Sequence, residues 1–293
     1  MATIRKRRLG NKDYFYLEHA FKVGKKVKKE EKYLGQSIPK NIEELKQDFF
    51  HSIFRERWFK SLETIKSNFT KDFKSMPKSA KDKFIENFMI KFTYDTNRIE
   101  GSTLSLKETA NLLERGISPK KPIEDVKETE AHKEVFYDML GCKKELTLNL
   151  ILYWHRLLFK NTKPDIAGII RKHSVSVAGS KAEFPFPAEL EILLREFFKW
   201  YNKNKSKLNP VELAALVHLK FVSIHPFSDG NGRISRLIMN FVLNNAKYPM
   251  LNIHYRNRDS YYTALERSQV NKKDNVFVQY LIKRYIKEYK RYL

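Results

Sequence analysis

Twelve consecutive residues, His225 to Arg236 (HPFSDGNGRISR), carry an imidazole, a carboxylate, a glycine-rich turn and two guanidinium groups within one loop and helix start. Read as chemistry, this is a site for a triphosphate. An unperturbed imidazole has a pKa near about 6.5, so His225 is suited to take a proton from a hydroxyl at neutral pH. Asp229 offers the hard oxygen that magnesium accepts beside substrate phosphates. Gly230, Asn231 and Gly232 let backbone N–H groups approach an anion where the dipole of the following helix also favours negative charge. Arg233 and Arg236 lie three apart on that helix, share a face, and clamp phosphate oxygens as fork-shaped cations. Isolated histidines such as His173 and His218 more often pack than react. His225 is singled out by the carboxylate, glycines and arginines that come directly after it.

Such groups need rigid support, and the flanking sequence supplies it. Asn209 is a candidate cap and Pro210 a first-turn residue for a helix whose Leu213, Leu216, Val217 and Phe221 form a buried face, delivering His225 at its C-terminal end. Phe227 packs inward to pin the loop. Ile234, Leu237, Ile238, Phe241 and Val242 mark the helix carrying both arginines as a packed one.

Outward from this pair the spacing predicts a mainly α protein. Helices are expected at 41–74, 80–97, 105–115, 122–141, 147–159, 187–204, 210–223, 231–245, 258–269 and 274–292, punctuated by Pro77, Gly116 and Pro119. Residues 1–37 differ: Tyr14, Tyr16 and Leu17, then Val23, Val27, Tyr33 and Leu34, flank Gly24-Lys25 and predict a small basic β-hairpin module. A helical region at 38–90 and a region at 91–293, with its core at about 145–270, complete the expected organisation. Between 168 and 180, Val175 and Val177 alternate with serines before a glycine, a short hairpin signature closed by Phe184-Pro185-Phe186-Pro187.

Composition narrows the partners. With 57 Lys and Arg against 34 Asp and Glu, the formal charge of +23 favours nucleotides, nucleic acid or acidic protein surfaces. Cys142 is the single cysteine, which excludes an intrachain disulfide and a cysteine-based zinc site. No apolar stretch approaches the roughly 20 residues of a membrane helix, and the charged start MATIRKRRLG leads into no signal-type apolar region. The expectation is a cytoplasmic protein with no membrane partner.

The segment HPFSDGNGRISR matches the Fic (Fido) signature HPFx[D/E]GNGRxxR at every fixed position, and the chain resembles that family over roughly residues 90–270. The resemblance implies a Fic-type helical core with a hairpin flap, and transfer of AMP from ATP to a Tyr, Thr or Ser hydroxyl of a target protein, with Mg2+ as cofactor. It implies His225 as general base, Asp229 as metal ligand, Gly230, Asn231, Gly232 and Arg233 as phosphate anchor and Arg236 as partner of the γ-phosphate. The flap comparison places Val177, Ala178, Gly179 and Ser180 near nucleotide or target. The segment from Asp259 to Leu265 is similar to the family's adenine-side helix, with Tyr261 and Tyr262 lining the base pocket. Gln269 stands where relatives often carry Asn, a departure that bears on base selectivity.

Upstream, Thr96-Asn97-Arg98-Ile99-Glu100-Gly101 is similar to the family's inhibitory motif [S/T]xxxE[G/N], in the class whose inhibitory helix precedes the core. Glu100 is then expected to pair with Arg236 and to close the site at rest, and the same carboxylate could orient water for removal of AMP. Two alternatives stay open: transfer of another phosphate-containing group through the same cradle, and a nucleic-acid-binding regulator that uses the basic N-terminal module. Homodimerisation through the C-terminal helix, with Leu281, Ile282, Tyr285 and Ile286, is compatible with the sequence.

Overall fold

The computed structural model describes residues 2–23, 26–177 and 179–293. The chain divides into two compact units, Met1–Thr64 and Ile65–Leu293. The first contains an antiparallel sheet in the order β1 (Thr3–Leu9), β2 (Lys12–Val23), β3 (Lys26–Gly35), followed by most of helix α1 (Ile42–Ser75), which continues into the second unit.

The N-terminal module thus has three strands where the pattern predicted two. The Gly24-Lys25 turn lies outside the described residues, but the register runs to Val23↔Lys26 on its flanks. The extra strand β1 pairs from Thr3↔Glu18 to Leu9↔Lys12 around Gly10, whose φ of +59° suits glycine. All seven β1 residues are exposed, so this strand carries no apolar alternation to reveal it. Its cations pair within the sheet, Arg5 with Glu18, Lys6 with Asp13 and Arg7 with Glu31, while Tyr16 sits under Arg7.

In the second unit, α7 (Pro210–Ile224) and α8 (Asn231–Asn245) pack along each other and form the centre. Around them lie α4 (Ile123–Gly141), α5 (Leu148–Phe159), α6 (Leu190–Asn204), α9 (Arg258–Val270) and α10 (Asp274–Glu288), with α2 (Lys78–Ile99) and α3 (Leu106–Arg115) on the α4 side. The caps explain the boundaries. Val211 donates to the Asn209 side chain at 3.0 Å with Pro210 next to it, Ser105 and Glu108 form a capping box, and Gly116 ends α3 at φ +69°. The core holds Trp154, Phe221, Phe227, Ile238 and Phe241, each almost fully buried.

Helix α2 is unusual in what it buries. Its last turns place Thr93, Asp95, Thr96 and Asn97 in the interior beside Phe92 and Ile99. Buried polar groups cost free energy unless they are hydrogen-bonded. Here Thr93 meets His132 Nδ1 at 2.8 Å, and Asp95 accepts from Asn252 at 2.6 Å and from the Tyr255 N–H at 2.8 Å. These bonds fix the rotation of the helix, while the buried Asn97 Oδ1 has no partner.

The segment 168–186 contains no strand among its described residues, so the expected hairpin flap is a loop without a strand ladder. The reason is visible in its partners. Arg171 donates to the carbonyls of His225 at 2.7 Å, His173 at 2.8 Å and Pro185 at 2.7 Å, and its own N–H reaches Pro226 O at 2.9 Å. One guanidinium satisfies carbonyls on both arms, and Pro185 and Pro187 have no N–H to give a ladder.

Candidate active site

His225 ends α7 in the left-handed region, with φ 51° and ψ 56°, and its N–H closes the last turn on Phe221 O at 3.1 Å. A non-glycine residue held there is uncommon and turns the chain sharply. Its Nδ1 lies 3.1 Å from Val222 O. A carbonyl only accepts, so Nδ1 carries the proton and Nε2 keeps its lone pair. Burial lowers the imidazole pKa below the usual histidine range, favouring the neutral form. The Phe184 ring from the flap loop covers it, centroids 4.1 Å apart.

The loop after His225 is stitched from below. Asn231 accepts from the Phe227 N–H at 2.9 Å and donates to Phe227 O at 2.7 Å, so its side chain braces the turn and only its backbone N–H remains for an anion. His155 stacks on Phe227, centroids 3.8 Å apart. It accepts from Gly168 N–H at 2.8 Å and therefore donates through Nε2 to Asp229 O at 3.0 Å. Burial pushes its pKa down to about 4. Gly230, at φ +80°, caps α8 with no room for a Cβ, which would strike the Phe159 ring.

The first N–H groups of α8 have no partner within the helix, which makes its start an anion site. In this structure a carboxylate lies beside that start. Glu100 stands over Gly232, where a Cβ would collide with its Oε1, and pairs with Arg236 at 2.6 Å. Arg236 is 1% exposed and each of its nitrogens is engaged: Nε by Thr96 Oγ1 at 2.6 Å, NH1 by Tyr261 OH at 3.3 Å and NH2 additionally by Thr96 O at 3.2 Å. Thr96 opens the motif that Glu100 closes, so one turn of α2 grips one arginine twice.

Not every predicted residue meets in one place. A cavity of about 390 Å3 is lined by Glu100, His225, Gly232 and Arg236 on one side and by Val177, Gly179, Ser180, Tyr261, Tyr262 and Gln269 on others. Ala178 lies outside the described residues. A separate polar cavity of about 170 Å3 holds Asp229 and Arg233, and Glu100 lines both. A larger depression beside Trp200, about 450 Å3, shares only Gln269 with the first and contains neither histidine nor arginine.

The tyrosine pair divides its labour. Tyr261 is 1% exposed, and its hydroxyl accepts from Arg236 and meets His218 Nε2 at 3.0 Å, so it holds the arginine more than it faces a base. Tyr262 is 43% exposed and its hydroxyl donates to Ile99 O at 3.1 Å, one residue before Glu100. Gln269 donates to Ser223 Oγ at 3.2 Å.

Several contributors escape sequence reasoning. Glu128 on α4 pairs with Arg233, and Lys163, after α5, pairs with Asp229 at 2.6 Å. Burial opposes ionisation of Asp229, yet Arg233 and Lys163 outweigh it and hold its pKa below the usual carboxylate range. Glu266 on α9 accepts from the Lys181 N–H at 2.7 Å and ties the flap loop to the cavity wall. Glu128, Lys163 and Glu266 lie far along the chain from the loop they serve and carry no local motif. Thr96 did have a signal, its place in the inhibitory pattern.

The chain is similar to known proteins. Residues 145–243 match the Fic/DOC family. Protein adenylyltransferase Fic of Drosophila ananassae is 37% identical over 183 residues, covering 59% of this chain and 35% of that protein. The Aedes aegypti protein of the same name is 36% identical over 188 residues, covering 60% and 36%. The chain therefore spans about a third of the length of these curated relatives. Among solved structures, a Fic domain containing signaling protein from Bacteroides thetaiotaomicron superposes with a TM-score of 0.69 at 29% identity, covering 78% of this chain and 95% of that one. Fic-1 from C. elegans gives 0.73 at 27% identity, covering 87% and 77%. The match to the Fic/DOC family over residues 145–243 contains the whole His225 to Arg236 loop, and the chain shares its fold with these Fic structures.

Proposed function

We propose that this chain is an autoinhibited protein adenylyltransferase, moving AMP from ATP to a hydroxyl side chain of a target protein. The observation that carries it is a neutral imidazole with a free Nε2 on the wall of a cavity in which Glu100, from the chain itself, stands over Gly232 at the start of α8 and pairs with Arg236. The names of the insect relatives support the activity.

The target hydroxyl gives its proton to His225 Nε2 as its oxygen bonds to the α-phosphorus, and the bond from that phosphorus to the pyrophosphate oxygen breaks. The protein contributes position and charge: α8 N–H groups and Arg236 hold the phosphates, and the cavity wall at Tyr262 and Gln269 receives the base. Phe184, over the imidazole, limits water at the base.

Asp229 fits a divalent cation by its chemistry. Magnesium is commonly held by one or two carboxylates plus substrate phosphates, and Asp229 presents one carboxylate whose Oδ2 already takes a cationic partner, Lys163, at 2.6 Å. A metal bound there supplies charge neutralisation to the triphosphate.

Autoinhibition follows from Arg236. Each of its nitrogen atoms is engaged and Glu100 puts negative charge where a γ-phosphate would lie, so productive binding requires that carboxylate to leave. Because Glu100 lines the same cavity as His225, it is also placed to hold water against a phosphodiester, which supports the reverse reaction as a second activity of the site. The test is incorporation of label from α-labelled ATP, with UTP beside it, by full-length Glu100→Gly protein mixed with cell lysate. AMP should appear on the chain or a lysate protein, and His225→Ala in the same background should abolish it. No incorporation by folded Glu100→Gly sinks the proposal.

A further inference from the structure

The two oxygens of the Asp229 carboxylate are held differently. Oδ1 accepts from the Gly230 N–H at 2.5 Å and from Arg233 at 3.2 Å, both parts of the rigid start of α8. Oδ2 meets Lys163 at 2.6 Å. Lys163 sits on the loop after α5, where its N–H closes on Phe159 O at 2.9 Å, and its side chain is 35% exposed. Its ammonium also has a second acceptor within reach, Glu128 Oε1 at 3.3 Å. Glu128 in turn pairs with Arg233. Two carboxylates and two cations thus close one neutral cluster on the wall of the 170 Å3 cavity.

That balance has a consequence for metal binding. Within the cluster the charges cancel, and although Glu100, Glu124 and Asp125 also line the cavity, the Asp229 oxygen that a divalent cation would take is covered by an ammonium. Triphosphate oxygens change the sum, because they bring negative charge to the same place. Lys163 can then leave Oδ2 for Glu128 by rotating its flexible stem, with no change in the backbone.

The geometry points to Lys163 as a built-in counter-ion of the metal seat, a residue that makes divalent-cation binding depend on bound nucleotide. The inference rests on the reading of Asp229 as the metal ligand, and it concerns a residue that the triphosphate motif does not contain. Lys163 acts as a binding-site residue by occupying Oδ2, and Glu128 acts by receiving it.

The experiment measures Mn2+ binding to the full-length protein without nucleotide, by the electron paramagnetic resonance signal of the free ion. Lys163→Met should bind Mn2+ at least about tenfold more tightly than wild type, the scale of one unit charge removed from a half-exposed site. Lys163→Arg, which keeps the charge, should stay at the wild-type value, and thermal melts confirm that each variant folds. The double variant Lys163→Met, Asp229→Asn should lose the gain. No gain in folded Lys163→Met overturns the role of Lys163. A gain that survives in the double variant overturns the placement of the metal on Asp229.

Discussion

Replacing Glu100 gives the sharpest test of the proposal that this residue holds the site closed. The carboxylate pairs with Arg236 at 2.6 Å, with the two side chains 27% and 1% exposed, so the pair lies mostly away from water. Unit charges about 4 Å apart attract by about 4 kcal/mol at an effective dielectric near 20. Desolvation offsets part of that, and an incoming γ-phosphate recovers a similar attraction from Arg236. The difference that ATP feels is therefore the smaller work of displacing Glu100, about 1–3 kcal/mol, or roughly 5- to 150-fold in affinity. Glu100→Gly should tighten ATP binding by that factor in isothermal titration. Glu100→Gln separates charge from bulk: it keeps a side chain over Gly232 but no charge, so it should recover most of the gain if electrostatics closes the site.

The same substitution has an opposite effect on the protein without ATP. Arg236 loses its counter-ion but keeps Thr96 Oγ1, Thr96 O and Tyr261. The loss should therefore fall below the 3–5 kcal/mol typical of a stranded buried charge, at about 1–3 kcal/mol. A melt lowered by several degrees without nucleotide, and restored by ATP through mass action, is the expected pair of results. If Glu100→Gly neither tightens ATP binding nor lowers the melting temperature, the ion pair does not hold the site and the reasoning fails.

Two further outcomes rest on named contacts. Gly230→Ala forces a Cβ into the Phe159 ring at a φ of +80°, so stability should drop by about 2 kcal/mol or more, measured by urea denaturation. His254 bridges Asp95 on α2 at 3.1 Å and Glu288 on α10 at 3.3 Å, and these carboxylates raise its pKa to about 9. A histidine raised from 6.5 contributes its full stability below pH 6.5 and loses it as pH rises through about 9, an effect of about 3 kcal/mol at most. Wild type should therefore lose stability relative to His254→Gln between pH 6.5 and 9.5, and parallel pH profiles of the two proteins would contradict the bridge.

Much of the helical architecture was legible because apolar spacing and punctuation act locally. Helices α7 and α8, which carry the site, begin where Asn209, Pro210 and Gly230 direct them, and α3 ends at Gly116, since caps and left-handed glycines are decided by neighbours in sequence. Strand β1 was hidden because every one of its side chains faces solvent, and the 168–187 loop misled because alternation cannot show that Arg171 has taken the carbonyls a ladder would need.

By itself the sequence determined which groups could do chemistry. It offered a candidate base, a candidate anchor turn, two arginines and a glutamate with the motif spacing proposed to oppose one of them. Only the tertiary structure decided how they are shared. It buried Tyr261 behind Arg236, separated Asp229 and Arg233 from the main cavity, and brought Glu128 and Lys163 to them from α4 and the loop after α5. The physical reason is that charge pairing depends on distances of about 3–4 Å between side chains that packing brings together, and residues more than sixty positions apart leave no period or spacing by which to read such a contact in advance.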